Sequence, residues 1–177
     1  MGILSDKSIR ERIENGSIGV EPLRDIDEQV QPGSLDIRLG HEYKNKEIED
    51  EANAVQYANP GESIVFEPNT FYLAHTLEEI SLPEDVCAQL TGRSTYGRAG
   101  LMMHVSAGWI DPGFTGTITL EVYNFSNTEI AVPVENRVAQ VVFHELDDDA
   151  ETPYGQKDDA QYQGQSGVED AEILEDE

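Results

Sequence analysis

The chain has 177 residues and carries 36 Asp and Glu against 11 Lys and Arg, a formal net charge of −25. That length suits one domain with a real hydrophobic core, and an apolar content of 38% makes it globular through most of its length. The acid excess repels nucleic-acid phosphates and anionic membranes, so neither is expected as a partner.

Like-charge repulsion of this size should cost stability in dilute buffer and be relieved by screening, which predicts a protein of a high-salt cytoplasm. No stretch approaches the roughly 18 apolar residues of a membrane span, and no charged-then-apolar leader opens the chain. Cytoplasmic localisation is the expectation.

In chain order, "ILSDKSIRERIENGSI" (3–18) is the only convincing helix. Ser5 suits the N-cap, Asp6 the first turn, Ile9 and Ile13 recur at i,i+4, and Gly16 can end it. Short strands follow: "SLDIRL", "ESIVFEP", "FYLAHTL", "VCAQLTG", "LMMHVSA", "TITLEVYN", "IAVPV" and "VAQVVFHEL". Turn signals punctuate them, among them Asn59-Pro60-Gly61, Glu67-Pro68-Asn69, Asp111-Pro112-Gly113 and Glu135-Asn136. Strands at this spacing predict an all-β sandwich, jelly roll or barrel.

Residues 42–54 are polar and read as a surface excursion. From Asp147 the composition turns acidic and aperiodic, so 1–150 is read as one domain and 151–177 as a flexible tail. Within that tail, 169–177 suits disorder, whereas "PYGQKDDAQYQGQSG" (153–167), with two Tyr and four Gln, suits a loop that orders over a ligand.

Two segments could carry chemistry. Between Lys46 and Arg137 the only basic residues are Arg93 and Arg98, in "TGRSTYGRAGL" (91–101). Glycines there let backbone approach a ligand, hydroxyls donate, and guanidiniums neutralise phosphate oxygens; a surface turn paired to nearby acids fits the residues equally. The segment is no Walker loop, lacking G-K-[ST]. In "GTITLEVYN" (116–124) alternation puts Ile118, Leu120 and Val122 on one face, and Thr117, Thr119, Glu121 and Tyr123 on the other. A carboxylate so placed is either half-exposed and inert or lines a cleft.

Zinc-activated water is not expected. There is no H-x-E or P-C-x-x-C, His41, His75, His104 and His144 stand apart, and Cys87 is the single cysteine, read as a buried small hydrophobe.

Taken together, "QPGSLDIRLG" (31–40), "GRSTYGRAGL" (92–101), "SAGWIDPGFTGTITLEVYN" (106–124) and "YQGQSG" (162–167) resemble, in this order, the dCTP deaminases of the dUTPase superfamily. The opening "ILSDKSIRERIENG" is similar as well. The resemblance implies a distorted β jelly roll with a short N-terminal helix, in a homotrimer with active sites between subunits. It implies zinc-independent hydrolytic deamination of dCTP at C4, with Mg2+ carried on the nucleotide phosphates. By the same resemblance Glu121 is the catalytic glutamate. Ser94 and Arg98 position water and substrate, and the Ala107 carbonyl helps hold the water. Arg93 and Thr95 lie in the same contact segment, Thr119 and Leu120, just before the glutamate, are substrate contacts, and Asp111 meets the deoxyribose 3′-hydroxyl. Gln140, Tyr154 and Gln165 serve the triphosphate. Gln161 stands in "DAQY" where many members have Lys, so one charge facing phosphate is missing.

Gly108-Trp109, before Ile110-Asp111, is closer to bifunctional members that continue to dUMP and pyrophosphate than to those that stop at dUTP. A single-activity deaminase, a dUTPase, a non-catalytic nucleotide binder and a cupin-like sugar binder are the alternatives. The last would need an aromatic platform or a His cluster, and neither is visible.

Overall fold

The computed structural model describes residues 2–47 and 55–171. Helix α1 (Asp6–Glu14) starts where Ser5 Oγ accepts from the Ser8 amide at 3.4 Å, and gives way at Gly16, φ +78°. Ile9 is fully buried beneath it. Arg12 fastens the helix to the sheet through Asp85 at 2.7 Å and Glu145 at 3.1 Å, which holds the Asp85 carboxyl below its ordinary pKa.

The strands are β1 (Gly19–Glu21), β2 (Val30–Gln31), β3 (Ser34–Asn45), β4 (Val55–Tyr57), β5 (Ser63–Phe66), β6 (Phe71–Ser81), β7 (Val86–Gly92), β8 (Leu101–Met102), β9 (Trp109–Ile110), β10 (Thr115–Asn124), β11 (Ile130–Pro133) and β12 (Arg137–Glu145). All pairings are antiparallel. The main sheet runs β8-β10-β6-β3-β12-β7-β9, with β1 added to β6 and β2 and β4 to β3, while β5 and β11 pair separately. Strand β3 belongs to both halves: Leu35–Arg38 pair with β12, Tyr43–Asn45 with β6, and a register irregularity lies between. That break lets the sheet curl over its own apolar face. Gly40 sits there, where a Cβ would fall 2.3 Å from the His75 ring. Ile37, Leu39, Ile80, Leu120, Val141 and Phe143 meet inside the curl. The mostly-β jelly-roll-like fold and the short N-terminal helix are as the sequence predicts.

Four local expectations change. The "GRSTYGR" segment is no open turn but a short helix, α3 (Ser94–Ala99), with no buried residue and hence no apolar periodicity to betray it. Another short helix, α2 (Ile26–Gln29), is capped by Asp25, whose carboxylate accepts from the Asp27 amide at 2.8 Å. "LMMHVSA" is strand only at Leu101–Met102. Residues 42–45 continue β3 as half-buried strand rather than an excursion; residues 48–54 of that expected excursion lie outside the described residues, as do 172–177 of the expected disordered end. Cys87 is buried as expected, and burial raises its thiol pKa.

Candidate active site

Strand β10 alternates as its sequence requires, with Ile118, Leu120 and Val122 inward and Thr117, Thr119 and Glu121 half-buried on the other face. That face looks into a cleft of about 500 Å³. Phe71, Leu73, Leu90 and Phe114 give it apolar walls, and Glu121, His104, Thr119, Asp111 and Gln165 its polar groups. Leu120, a predicted contact, has its side chain in the core at 0% exposure and cannot turn it to the cleft.

Glu121 is held on one side. The amide and hydroxyl of Ser106 both donate to Oε2, at 2.8 and 2.9 Å. Oε1 has no hydrogen bond among the described residues. The Glu121 amide donates to His104 Nδ1 at 3.4 Å, and His104 Nε2 is buried without a partner among the described residues. Ala107 follows in the cleft wall, next to Gly108, whose carbonyl accepts from the Leu90 amide at 2.7 Å. A Cβ on Gly108 would lie 2.5 Å from the Leu90 carbonyl oxygen, so glycine is needed there for the approach to β7. Trp109 is exposed at the cleft mouth, tilted against His144 with ring centroids 5.9 Å apart. Asp111 sits at the rim, in a turn closed by the Phe114 amide donating to its carbonyl at 3.3 Å.

The chain after residue 150 forms part of the same cleft. The Tyr154 amide donates to Pro112 O at 2.7 Å, and the Tyr162 amide to the Tyr154 hydroxyl at 3.1 Å. Gln165 is buried: its carbonyl accepts from the Thr117 amide at 3.0 Å, while its side chain donates to the Thr117 carbonyl and, at 3.4 Å, to Thr119 Oγ1. Asp170 bonds both Lys44 and Lys46, which lower its pKa. Gln161 is exposed and does not line the cleft.

The other expected residues lie elsewhere. Arg93 ends the link from β7, Ser94, Thr95 and Arg98 are exposed on α3, and Gln140 lies on β12 opposite Asp36 and Thr91. None of them lines the cleft that holds Glu121. The single chain therefore presents two separate groups of expected site residues. Sequence reasoning passed over His104 and Ser106. Histidine was sought at metal-ligand spacing, and residues 103–107 read as part of a strand; only the adjacency of Ser106 to Ala107 hinted at it. Among the described residues no three His, Cys, Asp or Glu side chains converge as a metal site.

Comparison with known proteins decides the family. The family described as dCTP deaminase-like matches residues 3–146. This chain belongs to it. A dCTP deaminase, dUMP-forming, of Halobacterium salinarum is 39% identical over 97% of this chain and 94% of its own length. One of the same description from Methanobrevibacter smithii is 42% identical over 88% and 86%. A relative from Natronomonas pharaonis described simply as dCTP deaminase is 37% identical over 97% and 94%. Among solved structures, 2'-deoxycytidine 5'-triphosphate deaminase from Agrobacterium tumefaciens superposes with a TM-score of 0.66 at 26% identity, over 81% of this chain. This chain spans about half of that one, 48%. The family's match ends at 146, so the tail that contributes Tyr154 and Gln165 to the cleft lies beyond it.

Proposed function

We propose that this protein deaminates dCTP at C4 and carries the product on to dUMP and pyrophosphate in the same site. The observation that carries the reading is Glu121, pinned through one oxygen by Ser106 with the other open to an apolar-walled cleft. The relatives described as dUMP-forming support the second step.

In the deamination, the Glu121 carboxylate takes a proton from water as the oxygen adds to C4, and delivers it to N3. From the tetrahedral adduct a further proton passes through the same carboxyl from the new hydroxyl to the amino group, which leaves as ammonia. One carboxyl serving as base and then acid is worth about 10²–10⁴-fold. Ser106 fixes which oxygen is free to do so. The carbonyl of Ala107 orients the water, and Asp111 accepts from the 3′-hydroxyl. In the second step water attacks the α-phosphorus and pyrophosphate departs. Mg2+ would be held by triphosphate oxygens and water and would neutralise their charge.

Ser94, Thr95, Arg93, Arg98 and Gln140 act from a neighbouring subunit of a homotrimer, which is how an exposed short helix comes to face Glu121. Residues from 151 close over the phosphates. The acidic surface suits a salt-rich cytoplasm.

The test is a product assay with dCTP and Mg2+ in molar KCl. dUMP and pyrophosphate without free dUTP is the expected result. Accumulating dUTP would overturn the second step, in keeping with the relative described simply as dCTP deaminase. Unchanged dCTP would overturn both, and the same run with dUTP would then reveal a dUTPase.

A further inference from the structure

Asp36 is a buried carboxylate that the proposed chemistry does not use. It lies on β3 opposite Gln140 of β12, which is opposite Thr91 of β7, so the three side chains share one face. The Asp36 side chain is 2% exposed, and its Oδ2 is 3.4 Å from Arg93 Nε and 3.4 Å from Arg137 Nη1. Arg93 is tied further inward: its Nη1 donates to the Arg137 carbonyl at 3.1 Å, and its amide to Val138 O at 3.0 Å. Its Nη2 has no hydrogen bond among the described residues, and 32% of the side chain is exposed.

Burial raises the Asp36 pKa, and the two guanidiniums, which lower it, do not cancel that effect. A buried carboxylate kept on such terms is weak evidence of stabilisation, and removing it alone leaves two guanidiniums without their counter-charge. Its geometry has a different use. Guanidinium is a planar fork, so engaging Nε and Nη1 from behind fixes the direction of the remaining edge. Arg93 is also the residue immediately before α3 and gives that helix no side-chain cap. The tether thus sets the start of the segment bearing Ser94 and Arg98.

We propose that Asp36 is a positioning residue that holds the free edge of the Arg93 guanidinium toward the triphosphate of the nucleotide. The proposal rests on the functional reading above.

Steady-state dCTP kinetics of wild type, Asp36→Asn, Arg93→Ala and the double variant in molar KCl test it. Asp36→Asn is expected to raise KM by about five- to tenfold with kcat within about threefold, and to raise it no further in the Arg93→Ala background. An Asp36→Asn KM within about twofold of wild type, or an equal effect in both backgrounds, would overturn the proposal. If Asp36→Asn does not fold, Arg93→Lys takes its place: a single ammonium can satisfy Asp36 or reach phosphate, not both, so KM should rise by a similar factor. An unchanged KM would again overturn it. A wild-type enzyme idle on dCTP would instead sink the functional reading, and this inference with it.

Discussion

The two groups of expected site residues are built in opposite ways. The group around Glu121 is drawn from β10, the loop from 103 to 108, the β9 turn and the tail, and lies in a cleft with hydrogen bonds that fix it from behind. The group around Arg98 stands on a six-residue helix with nothing buried. The contrast follows from what each must do. A carboxyl that changes protonation during reaction needs a sheltered, oriented seat. On the proposed reading, cations offered to an anion bound at another subunit must stay outside their own chain's core. Within the exposed group Arg93 is the exception, since Asp36 tethers it from inside.

The largest effect tests the sheltered group. Glu121→Gln should keep dCTP binding and lose at least about 10²-fold in turnover, read by single-turnover kinetics beside direct titration. Near-normal turnover would remove Glu121 from the acid–base role. Next comes the split itself. If the proposed homotrimer forms, its Glu121→Gln and Arg98→Ala variants should each be inactive. Mixed after dissociation and reassociation, they should regain a measurable fraction of wild-type activity, because some sites draw both intact residues from different subunits. No recovery would place both groups in one chain.

Ionic strength should matter to the whole surface: the protein should unfold in dilute buffer and stay folded in molar KCl, followed by circular dichroism, and equal stability in both would dismiss the high-salt reading. A smaller effect is local to the cleft wall. Gly108→Ala must displace Leu90 or its own loop, costing about 1–3 kcal/mol and lowering Tm accordingly. The smallest effect concerns the tail. Lys44 and Lys46 depress the Asp170 pKa, so the clamp contributes stability above the unfolded carboxyl's pKa and loses it as pH falls through the folded value. Limited proteolysis should cut Asp170→Asn faster after residue 150 at neutral pH, and the difference should shrink in acid.

Much of this was legible in the chain because alternation is a strong signal. "TITLEVYN" announced both its buried face and the placement of Glu121, and "LSDKSIRERI" carried its own cap. What escaped has a common cause: its geometry is set by distant partners. The helix at Ser94–Ala99 buries nothing, so its sequence holds no period to read. The bond from Ser106 to Glu121 joins residues 15 apart across a loop. Gly108 was singled out only through its resemblance to bifunctional members, and its tight contact with the β7 backbone had no sequence signal. The separation of Glu121 from Arg98 in space is invisible to any one-dimensional pattern.

The placement of Trp109 has an optical consequence. It is the chain's single tryptophan, it stands exposed at the cleft mouth beside His144, and no other indole dilutes its emission. Anything that enters the cleft or draws the tail across it changes the polarity around that one ring. The protein therefore carries its own fluorophore at the site. In a Glu121→Gln background its emission would report occupancy alone, separating arrival of the nucleotide from the reaction that follows.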